Sequence, residues 1–330
     1  MPEVGDKTAR WYLSLIVLTP VILLGLVGNC LSMLTWSRGS NRNKSTAVLL
    51  TCLAVTDTIV LAIPALEMWA DEVFNFKLRL PHVVLCKLFA WASYFGPTMS
   101  SWIIVLVTLE RFVSIWFPVR VRYLCTKVKM RIAIISVGLI LAFVYSPFLI
   151  LTDIRPTNET GMLNGTKLAC DVNYNTTFFL YYVPVWMWID FVLLFGLPFV
   201  IVVIGNVMIL YKIFKSRKAF SKKNRHVSER TRAANSFTMR AIALSIILLV
   251  CLLPVTSKEV YHSQTGTNHE GLLQVVVSVL LYANSALNFL LYCAIGTGFR
   301  TDMKKVLRSL CSRRRVSLNY EETTRVNYVR

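Results

Sequence analysis

Residues Trp11–Trp36 read WYLSLIVLTPVILLGLVGNCLSMLTW, an apolar run without one Asp, Glu, Lys or Arg. A bilayer core of roughly 30 Å needs about 20 apolar residues in helical form, so this run is long enough to cross it. Further runs of comparable length follow at Ser45–Ala70, Val83–Phe117, Met130–Thr152, Val185–Phe214, Met239–Tyr261 and Leu272–Ile295. They predict an all-α membrane protein, a seven-transmembrane helix bundle. Pro20, Pro64, Pro97, Pro147, Pro198 and Pro254 fall inside the runs. Helices in lipid tolerate proline where neighbours satisfy the freed carbonyl.

Composition agrees. Of 330 residues, 55% are hydrophobic and 16% charged, against about a quarter charged in a soluble domain. The formal charge of +19 raises the question of nucleic acid, but a nucleic-acid binder carries its basic residues on a polar fold. Here they sit between apolar runs, as on a basic cytoplasmic face. The opening MPEVGDKTAR is polar and lacks the regions of a cleaved signal peptide. The first span is therefore expected to be a retained signal anchor.

Short loops set orientation through Lys and Arg. Arg38, Arg42 and Lys44 follow the first run, and Arg120, Arg122, Lys127, Lys129 and Arg131 lie around the third connection. The segment from Lys212 to Arg240 and the tail after Ile295 are also strongly basic, so one face holds most of the 36 Lys and Arg. Topogenic charge explains most of that count, and contact with acidic protein or anionic lipid is a further reading. The opposite face carries acids such as Glu67, Asp71, Glu72, Asp153, Asp190 and Glu259. An odd number of spans then places residues 1–10 outside, the spans at 11–295, and the tail at 311–330 inside. The expected address is the plasma membrane. Sequons at Asn158, Asn164 and Asn175 cluster in one polar loop on the outer side and are candidate glycosylation sites.

Cysteines divide in the same way. Cys86, at the outer end of the third run, and Cys170, in the sequon-bearing loop, face an oxidising compartment and can form one bond. Cys311 follows an amphipathic stretch at 296–310 that reads as a short eighth helix. It is either a palmitoylation site or a spare thiol. Ionisable groups inside a span are costly and point to function. Asp57 lies mid-span, and Asn29, Asn284, Ser285 and Asn288 could join it in one polar cluster. That cluster reads either as a cation or proton site or as an interhelical hydrogen-bond network. Glu110-Arg111 closes the third run, where interfacial snorkelling is the plainer reading.

Taken in order, these residues carry a resemblance. Gly28-Asn29, Leu53-Ala54-Val55-Thr56-Asp57, Cys86 ahead of Glu110-Arg111-Phe112, Phe195-Gly196-Leu197-Pro198, Cys251-Leu252-Leu253-Pro254, Asn288-Phe289-Leu290-Leu291-Tyr292 and Phe299 follow one another from about residue 11 to 311. The chain resembles a rhodopsin-like, G-protein-coupled receptor of divergent, neuropeptide-receptor type. The resemblance implies a sodium ion as allosteric modulator, held by Asp57 with Asn29, Asn284, Ser285 and Asn288, and no other cofactor. It implies that Glu110, Arg111, Pro254 and Tyr292 form the switch that engages a heterotrimeric G protein when the sixth helix swings outward, with arrestin and a receptor kinase as further partners. It also pairs Cys86 with Cys170. Departures from the family are Glu110-Arg111-Phe112 for Asp-Arg-Tyr, Leu252 for Trp, Leu248 for Phe, Phe289 for Pro, Gly138 near the place of a Trp, Asn206 for Tyr, and Ala234 for an acid. They bear on the switch more than on the scaffold.

The resemblance also narrows the ligand. Ser93 stands where amine receptors carry an Asp, and Tyr282 where an opsin carries its lysine. Glu67, Trp91, Ser93, Tyr94, Asp190, Glu259 and Tyr282 are the candidate ligand-binding residues. Acids and aromatics of this kind suit a cationic, amidated peptide, although acids at span ends also simply face water. The loop Asp153–Pro184 is expected to form an extended lid. Ser312, Ser317, Thr323 and Thr324 are candidate phosphorylation sites. A transporter would use Asp57, Glu110 and Arg111 as a charge path, but no inverted repeat is visible. No metal spacing, nucleophile elbow or P-loop supports an enzyme. A receptor-like protein with weak coupling remains as an alternative.

Overall fold

A computed structural model describes residues 2–40, 42–156, 162–163, 166–172, 185–220, 228–265, 271–295 and 298–309. It is an all-α bundle whose helices α1 (Gly5–Arg38), α2 (Ser45–Phe74), α3 (Val83–Trp116), α4 (Lys127–Leu151) and α5 (Val185–Lys215) are each long and apolar enough to cross a membrane. Helix α6 (Ser228–Thr265) follows, with Ser245–Lys258 as its shorter apolar stretch. Helix α7 (Leu272–Ile295) holds the sixth long apolar segment, Leu272–Ala294. A final helix, α8, covers 298–309.

Helix α3 is the axis of the bundle and α4 its rim. Helix α3 packs against α2, α4, α5 and α6, whereas Leu139, Ile140 and Phe143 point outward from α4. Side chains of this kind are stable outside the bundle only where hydrocarbon replaces water. Inside, Leu53, Ile103, Ile104, Leu248, Leu252 and Tyr292 belong to one buried cluster.

Proline and glycine shape the helices. π-Helical turns at Ser14–Leu18, Leu61–Ala65 and Phe191–Gly196 stand beside or around Pro20, Pro64 and Pro198. The wider turn accommodates the ring and the carbonyl it frees. Helix α2 closes at Asn75, whose positive φ of 53° turns the chain so that the Phe76 N–H reaches the Ala70 carbonyl at 3.2 Å; Asn tolerates the left-handed conformation better than most residues. On α1, a Cβ added at Gly28 would lie 2.7 Å from that of Phe289. Phe289 thus packs into space that only glycine leaves open at residue 28.

The first helix starts earlier than its apolar run, while the lid is extended as expected. Residues 2–10 are helical and continue into the first span, because Asp6 accepts from the Leu272 N–H at 3.0 Å and Arg10 pairs with Glu72 at 3.3 Å. The expected lid contains strands β1 (Thr152–Pro156), β2 (Met162–Leu163) and β3 (Thr166–Val172), in the antiparallel order β1-β3-β2.

Candidate functional site

Cys86 and Cys170 are disulfide-bonded, with Cα atoms 5.6 Å apart. Because Cys170 also pairs with Ile154 in the β1–β3 register, the bond ties a whole strand to the end of α3. Beneath it lies a cavity of about 360 Å³ whose wall includes Ala169 and Cys170.

This cavity brings together Glu67, Ser93 and Tyr282 from the sequence candidates, and adds Asp71, Glu72, Lys77, Arg79 and Gln274. Its acids are not bare. Glu67, 4% exposed, receives two hydrogen bonds from Arg79, one from Nε and one from Nη2 at 2.6 Å. Asp71 faces Lys77 at 3.6 Å, and Glu72 faces Arg10 at 3.3 Å. Burial alone would depress the Arg79 guanidinium, but the hydrogen bonds and charge of Glu67 outweigh it and raise Arg79 above its ordinary value. The site therefore presents both signs of charge, with the strongest pair deepest.

The other candidates lie elsewhere. Asp190 accepts from the Tyr145 hydroxyl at 2.7 Å, and Tyr145 shares a 2.8 Å hydrogen bond with Thr98. Tyr94 stacks on Phe148 at 4.3 Å between ring centres and meets Trp186 edge-on. Trp91 stacks on Phe95, also at 4.3 Å. These aromatics pack between helices, and none of Trp91, Tyr94 and Asp190 is in the cavity wall. Glu259 has its side chain outside the described residues, as do Asn158, Asn164, Asn175 and Cys311 entirely.

Arg79 was not legible as a partner of Glu67. It sits beyond the end of α2, where an irregular turn rather than a helical period sets its position.

Deeper in the bundle, Asp57 is fully buried. Ser100 donates to its Oδ1 at 2.7 Å and Asn288 to its Oδ2 at 2.6 Å. Asn29 donates to the Ser285 carbonyl at 3.1 Å. Among the described residues, the amide oxygens of Asn29, Asn284 and Asn288 are buried without a hydrogen-bond partner, a costly arrangement unless something accepts their lone pairs. One carboxylate, one hydroxyl and three uncompensated amide oxygens are hard donors of the type a small cation takes. The residues present thus fit the sodium ion that the resemblance implies. Ser100 is the member the sequence reading missed. It adjoins Ser101, whose hydroxyl turns back to Pro97, and nothing local tells the two apart.

At the far end of α3, Glu110 accepts from Ser45 and, at 2.8 Å, from Thr46. Arg111 donates to Thr46 and to Glu110 at 3.4 Å. Tyr292 packs against Trp36 and Phe299 at 5.7 and 5.5 Å. Asn206, in place of a Tyr, donates to Ser245 on α6 at 2.7 Å. The charged pair is therefore clamped to the start of α2, and α5 is hydrogen-bonded to α6.

Comparison with known proteins joins these observations. Residues 28–292 match the sequence pattern of the 7 transmembrane receptor (rhodopsin family). Relatives include the human histamine H2 receptor, 26% identical over 91% of this chain and 81% of that protein. The chicken thyrotropin-releasing hormone receptor is 24% identical over 98% of this chain and 86% of its own. An FMRFamide peptide receptor of Caenorhabditis elegans is 25% identical over 88% and 68%. Amine and peptide receptors thus both appear among the relatives. With a buried aspartate in α2, a disulfide-roofed cavity and the clamped Glu110-Arg111 pair in one multi-pass bundle, this chain belongs to the rhodopsin family of transmembrane receptors and is a receptor, not an enzyme.

Proposed function

We propose that the chain is a plasma-membrane G-protein-coupled receptor with seven spans, its N-terminus outside and its tail inside, that binds a cationic peptide and activates a heterotrimeric G protein. The cavity under the disulfide carries this reading: Asp71 and Glu72 line it beside Ser93, where an amine receptor would carry its aspartate. Partly solvated pairs such as Asp71–Lys77 contribute little and exchange readily. An Arg or Lys of the ligand takes the place of Lys77 or Arg10 there, while Glu67–Arg79 stays closed beneath. On the opposite side, release of Arg111 from Glu110 and Thr46, with outward movement of α6 about Pro254 and inward rotation of Tyr292, exposes the G-protein surface. Arrestin and a receptor kinase act on the tail, Asn158, Asn164 and Asn175 carry glycans, and Cys311 a lipid.

Guanine-nucleotide exchange on purified G proteins, driven by membranes containing the chain and a neuropeptide library, tests this. Active peptides are expected to contain Arg or Lys, and Asp71→Asn with Glu72→Gln together should lower their potency about tenfold. Exchange driven only by neutral or acidic peptides, or by none, contradicts the reading.

The Asp57 cluster is proposed as the sodium site. Agonist affinity is expected to fall when sodium chloride replaces choline chloride, and Asp57→Asn should abolish that difference. A variant that keeps the full sodium effect removes the site.

A further inference from the structure

A second cavity, of about 540 Å³, opens between the turn after α1 and helix α8. It lies at the end of the bundle where Glu110 meets Ser45. Arg38, Arg42 and Lys305 share its wall. All are exposed, and none of their side chains has a hydrogen-bond or ion-pair partner among the described residues. The acid in the wall, Asp302, is 7% exposed and already engaged: it accepts from the Ser40 N–H at 3.1 Å and the Ser40 hydroxyl at 2.8 Å.

The backbone holds this arrangement. A Cβ at Gly39 would fall 2.5 Å from the Thr35 carbonyl oxygen and 3.1 Å from Asp302, so the turn approaches α8 as closely as it does only because residue 39 is glycine. Asp302 thereby pins the turn and brings Arg38 and Arg42 to the wall of the same cavity as Lys305. Like charges converge there at an electrostatic cost unless an anion joins them.

Location selects the anion. Arg38 is the last residue of the apolar span of α1, so the cavity begins where hydrocarbon gives way to headgroups. Helix α8 buries Phe299 and Val306 against the bundle and leaves Leu307 partly exposed, as a helix lying along the interface does. Guanidinium forks match phosphate oxygens bidentately, which a lone lipid carboxylate cannot reciprocate at several points.

We propose that this cavity binds the multiply phosphorylated headgroup of a membrane lipid, of the phosphatidylinositol bisphosphate class. Bound there, the lipid bridges α1 and α8 and fixes α8 against the membrane.

The test uses the full chain reconstituted in phosphatidylcholine nanodiscs, with a few percent of either phosphatidylinositol bisphosphate or charge-matched phosphatidylserine. Binding is read by native mass spectrometry and by thermal unfolding. The bisphosphate lipid is expected to bind and to raise the unfolding temperature, with phosphatidylserine far weaker. The variant Arg38→Gln/Arg42→Gln/Lys305→Gln should bind it about a hundredfold more weakly, from loss of roughly one contact per cation. Its unfolding in phosphatidylcholine alone should be unchanged, which shows that it folds. A control, Lys127→Gln/Lys129→Gln/Arg131→Gln, should keep the affinity.

Equal binding by the first variant, or equal response to phosphatidylserine, overturns the proposal. Soluble inositol trisphosphate binding as tightly as the lipid assigns the cavity to a free phosphate and overturns it too. Loss of G-protein binding in the first variant with lipid binding intact makes the cavity a protein contact, and the proposal fails.

Discussion

Replacing Arg79 by Ala is expected to cost roughly 3–5 kcal/mol of stability, because it leaves the Glu67 carboxylate buried without its partner. The Glu67 side chain is 5% exposed and that of Arg79 33%, so the two partners are not equivalent. Glu67→Ala leaves a guanidinium that water still reaches, and should cost less. The double variant Glu67→Gln/Arg79→Met removes both charges and should recover most of the loss, since a buried pair contributes little net stability beyond that of an apolar replacement. Thermal unfolding of the three purified variants checks the order. An Arg79→Ala protein as stable as the parent would show that the pair is not closed in the membrane.

That result bears on any assay of the ligand. Charge reversal at Glu67 places a cation beside Arg79, so a fall in potency there mixes misfolding with lost binding. Asp71 and Glu72, whose own side chains are 37% and 19% exposed against 5% for Glu67, report on the ligand more cleanly.

Cys170→Ser is expected to abolish high-affinity ligand binding and to remove up to about 4 kcal/mol by chain-entropy reasoning from a link that spans 84 residues. Helices α3 and α4 stay inserted without the bond, so the loss concentrates in the lid: β1 and β3 would still pair but would no longer be fixed over the cavity. Cys86→Ser should match it, and the double variant should add nothing more. Cys125→Ser, at the other end of the bundle, is the control and should bind as the parent does. Surface expression and radioligand binding, once a ligand is found, distinguish these outcomes. Full affinity in Cys170→Ser would mean that the roof plays no part in the site.

Much of the architecture was legible because each span must satisfy its own backbone in lipid, so helix positions follow from the lengths of the apolar runs. The expected end of α7 agrees with the observed one at Ile295. The expected Met239–Tyr261 lies within helix α6, Ser228–Thr265. Helix α1, by contrast, begins earlier than its hydropathy, since Asp6 and Arg10 are held by residues of α7 and α2. A hydropathy window cannot register contacts made across the bundle.

The sequence by itself determined the family, the multi-pass helical class and the residues Asp57, Glu110, Arg111, Cys86 and Cys170, because each stands in a local motif or violates the apolar pattern around it. The pairing of Cys86 with Cys170 was also legible, but for the other polar residues the tertiary structure chose among candidate partners. It set Ser100 rather than Ser101 on Asp57, drew Arg79 onto Glu67, and separated Asp190 from the cavity by pairing it with Tyr145. The physical reason is the same in each case. Burying a polar or charged group fixes that it must have a partner, whereas which partner it has depends on helix rotation and packing that no local spacing encodes.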